Sequence, residues 1–476
     1  MKTINKNNEA INVYLPNKLF KDLKVAIEER KTRGEEPKLQ LAQAAYFANL
    51  VVYLPFTKKD QYEDKYGWVS LCSEILNSIG NYSDYMDFLV EREILERHPK
   101  NYSTISRKCY RYRLAERYRN HVITRVPVES HKSFVKARNM ELEERKRRAE
   151  ESTPHLTKWL DPNKFDVDYE AAMAYIRKEY QGEAFLGKKN KRIIAIESLK
   201  AKDWGYSREG KDDRLHSLIT RLPKDLKKFV TYSDFGPLQS LDLKSSQPFI
   251  FSSIIQNQII NKTTLPKNKI TKHFYKPTIP STMLEQNDRI NDLGALQGFV
   301  YEVLCGKFYE NYGQILYEEG VLMKKVDQSF YYHGTTDKGK EMMDYKTLRD
   351  AGKNLIMRTF FSHYENRHNY VRVFEKHYPE PFAVMQLIKE SKPDEKNYFS
   401  LLLQNIEADF ILNYATRIIA EKHPEIPLFT IHDSVITPEV YLAVVEQEFR
   451  QHLQNYFSLS PQLSLESWCK DCEVAA

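Results

Sequence analysis

Near its C-terminal end the chain reads EIPLFTIHDSVITPEVY, and this stretch constrains the fold more than any other. Phe429, Ile431, Val435 and Ile436 suit a pleated, half-buried surface, which predicts two strands with His432-Asp433-Ser434 at the bend between them. A charge in that place has two readings. It is the polar tip of a tight hairpin, or it is a carboxylate held at a bend to grip a metal ion. Taken alone, the stretch supports both.

With 476 residues there is room for two or three domains with real cores. Tyr (31) and Phe (24) are frequent and Gly (16) is sparse, which suits a soluble, helix-rich α+β protein and neither a fibrous nor a disordered one. The net charge of +7 permits a polyanionic partner without demanding one. No run of about eighteen apolar residues occurs, and MKTINKNNEAINVYLP lacks a signal-peptide core, so a cytoplasmic location and no membrane partner are expected. The five cysteines (72, 109, 305, 469 and 472) read as scattered and are odd in number, which speaks for a reducing compartment. Cys469 and Cys472 form a lone CxxC without a second pair or clustered His, and no zinc or redox role is assigned to it.

No internal repeat is visible, and the texture divides the chain. Residues 1–40 read as an N-terminal extension. In 41–125, Leu71, Ile75, Leu76 and Ile79 have helical spacing, GNYSD breaks it, and YMDFLVEREIL predicts a second helix. Two short Tyr-, Thr- and Arg-rich segments then read as a hairpin. Around YMDFLVEREILERHPKNY this order resembles a winged helix, which implies DNA contacts through the second helix and the wing. A small structural helical domain, or one that contacts protein, is the alternative. Residues 126–160 include HKSFVKARNMELEERKRRAEESTP, mixed in charge and closed by Pro154, and are expected to form a charged helical linker. Residues 161–476 read as one α+β unit, with a Pro- and Lys-rich exposed insertion at 258–282.

Two more segments of that unit carry chemistry. PLQSLDLKSSQPFIFSSII is strand-like and ends its alternation at Asp242. If its strand lies beside that of Asp433, the two carboxylates could bridge a pair of divalent metals, as in phosphoryl or nucleotidyl transfer. Mg2+, which accepts few protein carboxylates plus substrate phosphates, is the expected ion, with Mn2+ as a substitute. In YKTLRDAGKNLIMRTFFSHY, Arg349, Lys353, Met357 and Phe361 recur every four residues. Each such step drifts only about 40° around a helix, so the four share one stripe. The cationic end suits a triphosphate and the apolar end a base and sugar. An ordinary solvated amphipathic helix is the competing reading.

In this order the segments resemble motifs A, B and C in the palm and fingers of A-family DNA polymerases and of the single-subunit RNA polymerases of phages and mitochondria. LLLQNIEADFILNYATRII resembles a further family helix, which implies that Gln404 lies beside the primer terminus or template. DDRLHSLITRLP resembles the family's Gly-Arg segment along the duplex, with Asp213 in place of Gly and Arg214 as the Arg. The resemblance covers roughly residues 210 to 450. It implies an α+β fold with a right-hand palm and fingers, an antiparallel sheet with helices, behind the small winged helix-turn-helix domain. Asp242 and Asp433 would be the metal ligands, Lys353 and Arg349 would neutralise the triphosphate, and His432 would touch the primer end. Partners would be a DNA template, a primer or nascent strand and nucleoside triphosphates.

The sugar stays open. Ser434, Met357 and Ser246 match the RNA-polymerase branch, whereas Gln247 is bulky where those enzymes have Gly and DNA polymerases have Glu. Phe361 replaces the Tyr, and Ser362 the Gly, that both branches favour. There is no room for a proofreading exonuclease, which suggests a compact replication or transcription protein of a phage or mobile element. The rival readings are a primase or template-independent transferase on the same palm, a DNA-binding regulator with an inactive palm, and a two-metal nuclease. The oligomeric state is left open.

Overall fold

The computed structural model describes residues 8–62, 67–73, 76, 82–99, 109–263, 290–336 and 339–469. The N-terminal unit runs β1 (Asn8–Pro16), α1 (Asn17–Thr32), α2 (Leu41–Tyr62), β2 (Val69–Leu71), α3 (Ser83–Glu91), β3 (Leu95–Arg97), β4 (Tyr110–Leu114), β5 (Ile123–His131) and α4 (Lys132–Ser152). Ile11, Val13 and Leu15 alternate along β1 and are buried, as a half-buried strand requires. Their strand pairs antiparallel with β5, setting Ile11 opposite Val128 and Val13 opposite Val126. The same core takes in Leu19 and Leu23 of α1, Phe47 of α2 and Leu89 of α3. Residues 8–40 are therefore part of this unit and not an extension ahead of it. The expected linker is corrected too: 126–131 is strand, and the helix starts at Lys132.

Burial of Tyr85, Met86, Phe88 and Leu89 on one face makes α3 a docked helix. It stops where Glu93 turns left-handed and the Ile94 N–H returns to Leu89 O at 2.9 Å. Strands β2, β4 and β3 form an antiparallel sheet in that order. Ile75, Ile79 and the hairpin residues 100–108 lie outside the described residues. Cys72 and Cys109, beside the Leu71–Tyr110 pair of that sheet, are joined as a disulfide with Cα atoms 5.1 Å apart. The cysteines are thus not all scattered, and their pattern no longer argues for a reducing compartment. Cys472 of the CxxC lies outside the described residues.

The second unit opens with β6 (Phe165–Val167), α5 (Tyr169–Glu179), α6 (Leu186–Lys200), β7 (Val230–Tyr232), β8 (Leu238–Leu243) and α7 (Ser246–Ile254). It continues with α8 (Leu293–Leu304), α9 (Phe308–Glu318), β9 (Leu322–Lys324), β10 (Phe330–Thr336), β11 (Gly339–Tyr345) and α10 (Leu348–Phe361). It closes with α11 (Pro379–Glu390), α12 (Tyr398–Ala408), β12 (Phe429–Ile431), β13 (Ser434–Pro438), α13 (Leu442–Phe457) and β14 (Leu463–Ser467). Its main sheet is antiparallel, in the order β12-β13-β8-β14. Helices dominate the rest, and the chain is an α+β protein. The expected insertion starts later than 258, because 255–260 continue α7 as a π-helical segment with Ile259 buried; 264–282 lie outside the described residues. Among the described residues no helix is long and apolar enough to cross a membrane.

Phe251 of α7 is fully buried and meets Phe299, Phe360 and Phe399 edge-on at 5.6, 5.8 and 5.0 Å. One ring thereby ties the helix after Asp242 to α8, α10 and α12. The C-terminal end of α10 rests on Lys389 of α11, whose Nζ donates to Thr359 O at 2.7 Å and to Ser362 Oγ at 3.3 Å. A cation suits a helix C-terminus, but Lys389 is only 5% exposed, and burial pulls its ammonium down to about 7. Between that value and its unfolded value the folded state has released a proton that the unfolded chain keeps, so stability rises with pH. From pH 7 to 9 this group is expected to add about 2 kcal/mol. Lys389→Met should flatten the rise in denaturant melts, since Thr359 O keeps its bond from Ser362 Oγ at 2.8 Å. An equal rise in the variant would assign the effect elsewhere.

Candidate active site

Strand β8 is buried at Leu238, Gln239, Ser240, Leu241 and Leu243, which leaves Asp242 as the half-exposed carboxylate near its end. Its partner β13 sets Ser434 opposite Asp242, and the Ser434 hydroxyl donates to Asp242 Oδ1. Ile431 pairs with Ser434, so His432 and Asp433 alone make the hairpin turn. Such two-residue turns need a positive φ, and His432 supplies it at 52°, where a glycine would serve without strain. Asp433 is thereby held next to Asp242, with Leu243 N donating to Asp433 O at 3.4 Å. Burial raises the Asp242 carboxyl above the usual range; the charge of Asp433 raises it further, and the Ser434 hydrogen bond pulls it back. Neither carboxylate has a salt-bridge partner among the described residues.

His432 is neutral at pH 7, because burial lowers its imidazole to about 4 and the charges of Arg214 and His216 act in the same direction. Its Nδ1 is buried without a partner among the described residues, and its ring centroid is 6.4 Å from that of His216. Arg214 does not stand free for a duplex. It pairs with Glu407 of α12, a residue not singled out in the sequence. Glu407 is 2% exposed and also accepts from Gln247 Nε2 at 2.9 Å. Burial pushes its carboxyl up to about 7, with Arg214 opposing and Asp433 adding to the rise. An acid in the largely apolar run LLLQNIEADF, two residues before Asp409, was the signal available for it. Gln404, one turn earlier on α12, is half-buried.

Asp213 stands in the left-handed region at φ 53°, which explains why its place suits glycine. Its carboxylate takes the Arg208 guanidinium at 2.9 and 2.6 Å, and Arg208 Nη1 reaches Asn413 Oδ1 at 3.0 Å.

Helix α10 begins with the Thr347 hydroxyl capping Asp350 N at 3.1 Å. Arg349, Lys353 and Phe361 are exposed along it and Met357 is half-buried. Arg349 Nε meets Glu310 Oε1 at 3.1 Å. The link to the carboxylates is Tyr309 of α9, which nothing in the sequence singled out. Arg349 and Lys353 lie 5.8 and 6.0 Å from its ring centroid. Burial, and then the charge of Asp433, push its phenol well above the ordinary value, with nearby Arg349 and Ser245 opposing the rise. The structure therefore gathers Asp242, Asp433, Ser434, His432, Gln247 and Arg214, and sets Arg349 and Lys353 over the Tyr309 ring, with Met357 and Phe361 farther along the stripe.

Two adjacent carboxylates whose mutual repulsion a cation would relieve fit a magnesium site that keeps its remaining ligands for water and phosphate. Among the described residues there is no cluster of three or more His, Cys, Asp or Glu able to hold a metal unaided.

No protein-family model matches the chain, and no curated protein sequence does. Among solved structures it is similar to the POL domain of Pol1 from M. smegmatis, in complex with DNA primer-template and dNTP. The identity is 11% and the TM-score 0.35, over 64% of this chain and 56% of that one. A likeness that slight identifies neither a fold family nor an activity.

Proposed function

We propose that the chain is a nucleotidyltransferase that extends a 3′-hydroxyl on a nucleic-acid template, with the second unit as palm and fingers. The observation that carries this reading is the pair Asp242 and Asp433, brought together by the hydrogen-bonded strands β8 and β13 and the β12–β13 turn; the cations of α10 over Tyr309 add to it. Asp242 and Asp433 would hold two Mg2+ ions, with Mn2+ as a substitute; when bound, such ions neutralise charge on the phosphoryl group and the leaving oxygen. Lys353 and Arg349 bind and orient the triphosphate, where charge develops. Met357 and Phe361 offer apolar and aromatic surface to the base and sugar. Gln247, held at its amide nitrogen by Glu407, keeps a buried Oε1 unpartnered among the described residues, an acceptor left for a sugar hydroxyl. His432 meets the primer end as a neutral ring, and Gln404 and Arg214 border the duplex, Arg214 braced by Glu407. In the N-terminal unit, the β2-β4-β3 sheet beside α3 supports a winged-helix reading in which α3 and the β3–β4 connection contact DNA.

The test is extension of a primed single-stranded DNA template with Mg2+ and either dNTPs or NTPs. Template-length product is expected from at least one pool, and that pool assigns the sugar. Addition to a bare 3′ end without template would move the reading to a template-independent transferase. No product from either pool, on primed or unprimed template, would sink the proposal.

A further inference from the structure

Tyr309, at the second position of α9, is 4% exposed, carries the cations of α10 over its ring and feels the charge of Asp433. Above its ring stand Arg349 and Lys353, one turn apart on α10, with Gly352 beside them. A Cβ on Gly352 would fall 2.1 Å from Tyr309 O and 2.8 Å from Gly313 N; one on Gly313 would fall 2.1 Å from Leu348 O. The two helices thus meet backbone to backbone, which sets the Tyr309 ring under the cation stripe. At the other end of the side chain is Ser245, held at φ 54° three residues after Asp242. The rival holder of Arg349 is Glu310, but the two side chains are 50% and 45% exposed, and such pairs contribute little.

We propose that Tyr309 is a positioning residue for polyphosphate: its ring is the platform that holds Arg349 and Lys353 side by side as one anion-binding pair. The kinetic consequence rests on the proposed nucleotidyl transfer, whereas the polyphosphate contact can be tested without it. Inorganic tripolyphosphate is titrated into the full chain by calorimetry, for wild type, Tyr309→Leu, Tyr309→Phe, Arg349→Ala/Lys353→Ala, and that pair combined with Tyr309→Leu. Tyr309→Leu is expected to weaken binding about tenfold, and Tyr309→Phe, which keeps the ring, to stay within about threefold of wild type. In the background lacking both cations, Tyr309→Leu should have no further effect, because it acts through them. In extension assays it should raise KM for the nucleoside triphosphate by about tenfold with primer-template affinity unchanged. An equal loss from Tyr309→Leu with and without the cations, or full binding by Tyr309→Leu, would overturn the proposal. Absence of extension in wild type would overturn the nucleotidyltransferase reading alone, since the titration still reads Tyr309.

Discussion

Asp433→Ala is expected to lower nucleotide incorporation by about 10³-fold or more while leaving the protein at least as stable as wild type. The two effects have one cause. Asp433 is held at the hairpin turn beside Asp242, and its charge helps to raise that carboxyl, so the folded state bears a like-charge repulsion. Truncation removes the repulsion and, among the described residues, breaks no side-chain hydrogen bond or ion pair. Activity would fall because, in the proposed site, a divalent ion loses one of its two protein carboxylates. The check is incorporation of labelled nucleotide beside a denaturant melt of the same preparation. Retained incorporation, or a loss of activity matched by a large loss of stability, would remove Asp433 from the metal site and return it to the role of a polar hairpin tip.

Arg208→Met is expected to cost about 3–5 kcal/mol of stability. Arg208 and Asp213 expose only 1% and 4% of their side chains, so the carboxylate would be left buried and uncompensated. The pair is also an anchor for more distant parts. Arg208 reaches Asn413, Asn413 Nδ2 donates to Asp409 Oδ1 at 2.8 Å, and Tyr456 of α13 donates to Asp409 Oδ2 at 2.8 Å. Adding Asp213→Asn to Arg208→Met should recover part of the loss, because the buried charge is gone and Asn tolerates the left-handed backbone. Chemical denaturation with an unchanged m-value is the measurement. A cost below about 1 kcal/mol would mean that water reaches the pair and that it anchors nothing.

Periodicity and local chemistry made part of this molecule legible. The β-branched runs around His432 and Asp433, the alternation ending at Asp242 and the four-residue spacing of Arg349, Lys353, Met357 and Phe361 are local patterns, and each forms the element that its pattern requires. The left-handed backbone at Asp213 had no local signal of its own; only the resemblance, which implied Gly there, pointed to it. Other alternations went unread because their meaning depends on a distant partner. Ile11, Val13 and Leu15 alternate visibly, but only pairing with a strand more than a hundred residues away makes β1 part of a core. Arg214 read as a contact along the duplex because nothing local shows that Glu407, 193 residues on, is buried and pairs with it.

By itself, then, the sequence determined the strands around His432-Asp433, the strand ending at Asp242 and the helix carrying Arg349 and Lys353, with the chemical groups on each, because those depend on neighbours within a few residues. Only the tertiary structure decided that Ser434 stands opposite Asp242, that Glu407 claims Arg214 and Gln247, and that Arg349 and Lys353 stand over the ring of Tyr309. Register across a sheet, and the cost of burying a charge without a partner, belong to pairs of distant residues, so no single stretch of chain can state them.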